Sequence, residues 1–359
     1  MRILYGANSQ GQGHLSKAAS LIPVLEARGH DVRLITSGPA LTSSGYQFRW
    51  HRHFAGLPYA VHQGQTDFPK TAWNWFKESP RTFGCLRAVR QIVREYQPDL
   101  IISDFEPLTA SPLLAPRCEV LAVSRQVALL DRDLEFPAHL AKNARLARAA
   151  MRLFTLGADR FFGYHYAPTS YRCLPPVVRP EIVNSQSKRG EHLLVYAHFA
   201  DSRKLVEWAA RERVPVVAYG FAAASWIEQK WVQFRQASRQ QMEMDLLSAR
   251  AVITSAGFTT PLEAYLLGLP VTVVPLPNQW EQQINAWQLE QLGIAHACHD
   301  WDYEFAWRQE ASGLNLSLRR WLSTSIDFIA DRIVGEGHSP CDWTDRHIGQ
   351  GVGTWYRAA

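Results

Sequence analysis

The chain has 359 residues, 47% hydrophobic and 20% charged, which excludes a disordered protein and leaves room for two domains with cores of their own. Its 38 Lys and Arg against 33 Asp and Glu are spread without a basic block or recognition motif, so no nucleic-acid partner is expected. No apolar run nears the roughly 18 residues that span a bilayer, and five scattered cysteines without a C-x-x-C pair predict packing thiols rather than disulfides or zinc.

Taken in chain order, Met1-Arg2-Ile3-Leu4-Tyr5-Gly6 reads as a strand and loop rather than a secretory leader, so a cytoplasmic location is expected. A strand is predicted over Arg2–Ala7. A loop bearing Gly11 and Gly13 follows, and then a helix over Leu15–Ala27 with His14 at its mouth and Gly29 closing it. Next come a strand over Val32–Thr36, a variable loop over Ala55–Ser79, a helix over Arg87–Tyr96 and a strand over Leu100–Ser103 that Asp104 ends. Val120–Val123 reads as a further strand. In Leu140–Phe162, Arg145, Arg148 and Arg152 fall on one helical face, which could touch anionic lipid on the cytoplasmic face of a membrane. A solvated face on a buried helix explains the same pattern. The proline-rich stretch Ala167–Glu191 predicts a linker over 171–191. A second series of strands is predicted over Leu193–Tyr196, Val214–Ala218, Val252–Thr254 and Val271–Val274. This rhythm predicts an α/β fold of two Rossmann-like domains, 1–170 and 192–340, facing across a cleft, with a tail over 341–359.

The segment Ala251–Ala286 carries the most chemistry. An apolar strand ends in Ser255-Ala256-Gly257-Phe258-Thr259-Thr260 and a helix opens at Pro261. Backbone N–H groups of such a turn, with the Ser255, Thr259 and Thr260 hydroxyls, can cradle an anion at the positive end of the helix. After a second buried strand, Glu281, Gln282 and Asn285 share one helical face. Thr260-Pro261-Leu262-Glu263 also fits a capping box, in which Glu263 closes its own helix, and Glu281 and Gln282 also suit a solvated first turn.

This segment resembles the donor-binding domain of inverting GT-B glycosyltransferases: the UDP-glycosyltransferases and the lipid-linked N-acetylglucosaminyltransferase of peptidoglycan synthesis, whose C-terminal domain is of the family 28 type. Gly257, Thr260, Glu263, Gly268, Pro270, Pro275 and Gln282 stand at that pattern's spacing, and Glu281-Gln282-x-x-Asn285-Ala286 matches its last phrase. The resemblance implies that Glu263 holds the ribose hydroxyls of a nucleotide-sugar donor, while Glu281 and Gln282 hold hydroxyls of the transferred sugar. The first loop and Arg28-Gly29-His30-Asp31-Val32 resemble the opening of the same families, which implies that His14 is the general base toward an acceptor hydroxyl, on a lipid-linked or glycan acceptor. A helix N-terminus suits a neutral imidazole. A histidine base needs an orienting group, and Asp104 at the ligand edge of its strand is the candidate, with Glu106 in reserve. His14 could instead cap its helix, and Asp104 its turn.

Two departures limit the resemblance. Tyr196–Arg203, the first loop of the second domain, lacks the glycines that admit a diphosphate, leaving His198 or Arg203 as helpers. No Trp-x-Pro-Gln phrase stands near Val232–Gln236, so uridine rests on the resemblance alone. No Asp-x-Asp ends a strand, so neither metal nor cofactor is expected. A nucleotide-sugar 2-epimerase and a non-catalytic nucleotide-sugar sensor are the alternatives on this scaffold.

Overall fold

A computed structural model describes residues 1–335 apart from 10–12, 40–46, 57–60, 63–64, 67–78, 132–133, 135, 171, 186–189, 198–199, 222–228, 237 and 278. Gly11, His198, most of the Ala55–Ser79 loop and the tail 341–359 therefore lie outside the described residues. The chain forms two compact units, one built from residues up to Val177 and the segment beginning at Thr324, the other from Val178–Ser323.

The first unit is a seven-stranded parallel sheet of β1 (Arg2–Asn8), β2 (Asp31–Ser37), β3 (His51–Phe54), β4 (Leu100–Asp104), β5 (Glu119–Ser124), β6 (Arg160–Tyr164) and β7 (Cys173–Leu174). The strand order is β3-β2-β1-β4-β5-β6-β7, so the winding reverses between β1 and β4, with Ala7 opposite Asp104. At such a switch point the connections leave in opposite directions and open a crevice at the carboxyl ends of the strands. β4 is buried throughout and β1 almost so, as strands covered on both faces must be, which is why they read as apolar runs. Three helices cross over: α1 (Gly13–Ala27), α2 (Ser79–Tyr96) and α3 (Ala141–Phe154). α2 lays Val89, Ile92, Val93 and Tyr96 on Leu4, Ile35, Ile101 and Val120 of the sheet.

The second unit repeats the plan with β8 (His192–Tyr196), β9 (Val216–Tyr219), β10 (Val232–Arg235), β11 (Ala249–Ser255), β12 (Val271–Val274) and β13 (His296–Ala297), all parallel, in the order β10-β9-β8-β11-β12-β13. Its helices are α4 (Pro180–Val183), α5 (Ser202–Glu212), α6 (Arg239–Leu247), α7 (Thr260–Leu266), α8 (Trp280–Gln291), α9 (Tyr303–Arg308) and α10 (Leu316–Leu322). Leu205 and Trp208 of α5 pack on Leu193, Val195, Val216 and Ile253.

Two expected boundaries move. The helix α11 (Ile326–Val334) belongs to the first unit, so the domain predicted to end at residue 340 ends at Ser323. Arg28, just beyond α1, ties it down with bonds of 3.0 Å to the Asp327 carbonyl and carboxylate and a further bond to Asp331. The predicted linker 171–191 contains structure, because β7 pairs with β6 and α4 opens at Pro180. A proline at the start of a helix costs no hydrogen bond, so what read as a break is an N-terminus. Among the described residues no helix is long and apolar enough to cross a membrane.

Candidate active site

His14 and Asp104 meet at the switch point of the first sheet. Asp104 is the last residue of β4 and fully buried, and His14 lies in the first turn of α1, which β1 feeds. His14 Nδ1 stands 2.7 Å from Asp104 Oδ1. Two acceptors that close would repel, so the separation places the proton on Nδ1 and leaves the Nε2 lone pair as the basic site. Phe105 stacks on the imidazole with ring centroids 5.7 Å apart and planes 18° from parallel. Its backbone is left-handed, φ +54°, a costly conformation for an aromatic residue, and Asn8 Nδ2 holds its carbonyl at 3.1 Å.

A third member of the network escaped sequence reasoning. Lys17, one turn beyond His14 on the same face of α1, donates to Asp104 Oδ1 at 2.8 Å and lies 3.4 Å from His14 Nδ1. Its ammonium sits over the Tyr164 ring, 4.8 Å from the centroid. Tyr5 donates to the other carboxylate oxygen at 3.5 Å. Burial opposes ionisation of Asp104, but Lys17 and His14 outweigh it and hold the carboxyl below its usual range. Burial, and then the Asp104 charge, push the Tyr5 and Tyr164 hydroxyls well up, so both remain neutral. The i, i+3 spacing of His14 and Lys17 was the available signal.

Glu106, the reserve partner, is committed elsewhere. Its buried carboxylate accepts from Leu108 N at 3.0 Å, Thr109 N at 2.7 Å and the Ser37 hydroxyl, and burial raises its pKa. It shapes the loop that carries Asp104 and does not bond to His14. Gly6 of β1 lies beneath this loop, where an added Cβ would fall 2.3 Å from Thr109 Oγ1.

In the second unit Ser255 ends β11, the Gly257 amide donates to the Ser255 carbonyl at 2.7 Å, and α7 begins at Thr260. The Gly257 N–H is thus used within the turn. A Cβ at Gly257 would meet only Ser255 O, at 3.9 Å, so packing within the chain leaves that side open. Glu263 is buried, and Arg179, just before α4, grips it with bonds of 2.7 and 2.6 Å. Arg179 also lies 3.5 Å from Glu243. The capping-box alternative fails because Thr259 occupies the cap and the Glu263 carboxylate turns to Arg179. Gln282 Oε1 accepts from Leu276 N at 3.0 Å, and the buried Asn285 donates to Ala256 O at 3.1 Å, fastening α8 to the turn. Glu281 is half-buried in the first turn of α8, and Arg203 is largely exposed beside Asp201.

Asp131, His165 and Cys173 also bring ligand atoms within 4.8 Å of one another. Burial pushes the Cys173 thiol up, and burial with the nearby Arg125 charge keeps His165 neutral. Ser170 donates to Asp131 at 2.5 Å, and the Thr169 and Ser170 amides donate to Cys173 Sγ. A protonated thiol beside a resident cation suits a hydrogen-bonded core cluster better than a metal centre. The basic face expected of α3 is narrower than predicted, because Arg148 turns inward to the carbonyls of Leu129, Asp131 and Leu134.

Two doubly wound units, each with polar residues at its switch point, form the architecture of the GT-B fold. The family profile described as Glycosyl transferase family 1 matches residues 1–306, and the chain belongs to that family. It is similar in fold to the calicheamicin glycosyltransferase CalG4 (18% identity, 98% of this chain and 99% of that one, TM-score 0.55). It is likewise similar to UGT2 of Phytolacca americana complexed with UDP-2fluoro-glucose and pterostilbene (13%, 96% and 94%, 0.55). A third similar structure is the spinosyn rhamnosyltransferase SpnG complexed with thymidine diphosphate (14%, 96% and 99%, 0.52). No curated protein sequence matches the chain significantly.

Proposed function

We propose that this enzyme is an inverting transferase that moves a sugar from a nucleotide diphosphate donor to an acceptor hydroxyl, with His14 as general base. The 2.7 Å bond between His14 Nδ1 and Asp104 Oδ1 carries the reading, because it leaves Nε2 unprotonated and gives the imidazolium a carboxylate to face once it forms. The acceptor oxygen attacks the anomeric carbon while its proton passes to Nε2. The bond from that carbon to the donor phosphate breaks, and the nucleoside diphosphate leaves with the electron pair. Backbone donors of the Ser255–Thr260 turn would stabilise its charge without a metal. Glu263, Glu281 and Gln282 would hold the ribose and sugar hydroxyls, with Asn285 fixing the turn.

The solved neighbours carry uridine and thymidine diphosphates, so either pyrimidine fits the proposal. A peripheral contact with anionic lipid would use Arg145 and Arg152 beside the exposed Leu146 and Leu153. Neither an epimerase nor a sensor has use for a base aimed at an acceptor. The test is transfer from UDP- and TDP-sugars by parent and His14→Ala protein, with donor affinity measured in parallel. A drop of about 10²–10⁴-fold in turnover at unchanged affinity is expected. Parental turnover by the variant would overturn the mechanism.

A further inference from the structure

At the amino-terminal edge of the first sheet, the edge opposite Asp104, lies a cavity of about 410 Å³. Arg90, Val93, Arg94 and Gln97 line it from α2 and its end, Pro98 from the approach to β4, and Leu114, Pro116, Arg117 and Cys118 from the approach to β5. The volume is within the range of small-ligand sites, which starts at roughly 300 Å³.

Three exposed arginines from two elements line it, and no lining residue is a carboxylate. Among the described residues none of the three arginines is in an ion pair, although acids stand nearby. Each of those acids accepts a hydrogen bond from another group. Asp99 accepts from the Arg2 backbone at 2.7 Å and lies 3.6 Å from its guanidinium. Glu119 takes both bonds from Arg160, Glu95 accepts from Gln91 at 2.7 Å, and Asp159 accepts from Val120 N at 2.8 Å. Arg90 and Arg94 stand one turn apart on α2, where like charges repel and weaken the helix. An anion between them would relieve that repulsion.

We propose that this cavity binds a phosphate ester, the phosphate held by Arg90, Arg94 and Arg117 and the organic part lying against Val93, Leu114 and Pro116. The guanidinium fork matches phosphate oxygens two at a time, which a carboxylate-poor, partly apolar pocket rewards more than an open surface does. His14 and Asp104 stand at the other edge of this sheet, so the cavity is separate from them and does not depend on that reading. The same ester chemistry is found in a free phosphorylated metabolite and in a phospholipid headgroup.

Calorimetric titration with inorganic pyrophosphate at about 150 mM salt, where the Debye length is roughly 8 Å and long-range attraction is screened, tests the site. The parent and an Arg308→Gln control should bind alike, and Arg94→Gln/Arg117→Gln should bind at least tenfold more weakly while melting at the parental temperature. Sedimentation with phosphatidic acid vesicles against pure phosphatidylcholine distinguishes the sources. Binding to phosphatidic acid vesicles alone, lost in the double variant, assigns the site to a headgroup. Equal pyrophosphate affinity in parent and double variant, or no binding of either probe, overturns the proposal.

Discussion

Lys17 and His14 use the same oxygen of one buried carboxylate: the ammonium lies 2.8 Å and the imidazole Nδ1 2.7 Å from Asp104 Oδ1, with 3.4 Å between the two nitrogens. The proposed base therefore has a fixed positive neighbour as well as a carboxylate. Asp104 Oδ1 thus serves two donors at once, and Lys17 helps hold the carboxylate that orients the imidazole.

Lys17→Met tests what the cation contributes. Removing one partner of a buried ion pair costs about 3–5 kcal/mol, and urea unfolding should show a loss approaching that size, moderated by the remaining bond to His14. With the carboxylate less firmly held, His14 loses orientation, so turnover should fall while donor affinity stays at the parental value. Parental turnover in a folded variant would mean that Lys17 only balances charge.

Asp104 makes stability depend on pH in a defined direction. Its pKa is lowered in the folded state, so its contribution is complete above the unfolded value of roughly 4 and disappears as pH falls through the lower folded value. The difference in unfolding free energy between parent and Asp104→Asn should be largest near neutrality and shrink below about pH 4. A difference that stays constant with pH would contradict the ionised, paired carboxylate.

Arg179 and Glu263 can be separated from the donor by a cycle. Arg179→Met leaves a buried carboxylate alone and should cost about 3–5 kcal/mol, whereas Arg179→Met with Glu263→Met should recover most of it. If Glu263 also holds ribose, the recovered double variant should still bind UDP or TDP about 1–3 kcal/mol more weakly by calorimetry. Parental affinity in that protein would leave Glu263 a purely structural role.

Gly6→Ala tests the loop that aims Asp104. The new Cβ would fall 2.3 Å from Thr109 Oγ1 and 2.7 Å from its Cγ2, so the loop must shift, at about 1–3 kcal/mol of stability. Turnover should fall with it, and Thr109→Gly in the same chain should restore both. Parental activity and melting temperature in the single variant would show the loop free to move.

Most of the secondary structure was legible because its signals are local. Apolar runs located β1, β2, β4, β5, β8, β11 and β12 to within about three residues, and Gly29, at φ +83°, stands where the helix was expected to close. The strand β6 was missed because the helical reading ran over Leu140–Phe162 whereas the helix ends at Phe154, and β7 because Cys173–Leu174 is too short to make an apolar run.

By itself the sequence determined the class of fold, two doubly wound units, and the positions of His14, Asp104 and the Ser255–Thr260 turn, since strand periodicity and turn residues act over a few neighbours. Only the tertiary structure decided partnership. Lys17 reaches Asp104 across 87 residues, Arg179 reaches Glu263 across 84, and Arg28 draws Asp327 and Asp331 back to the first unit across about 300. A lysine or arginine has the same local pattern whether it faces solvent or a buried carboxylate. Which of these it does follows from strand order and helix placement, and these arise from burial of the whole sheet rather than from any short segment.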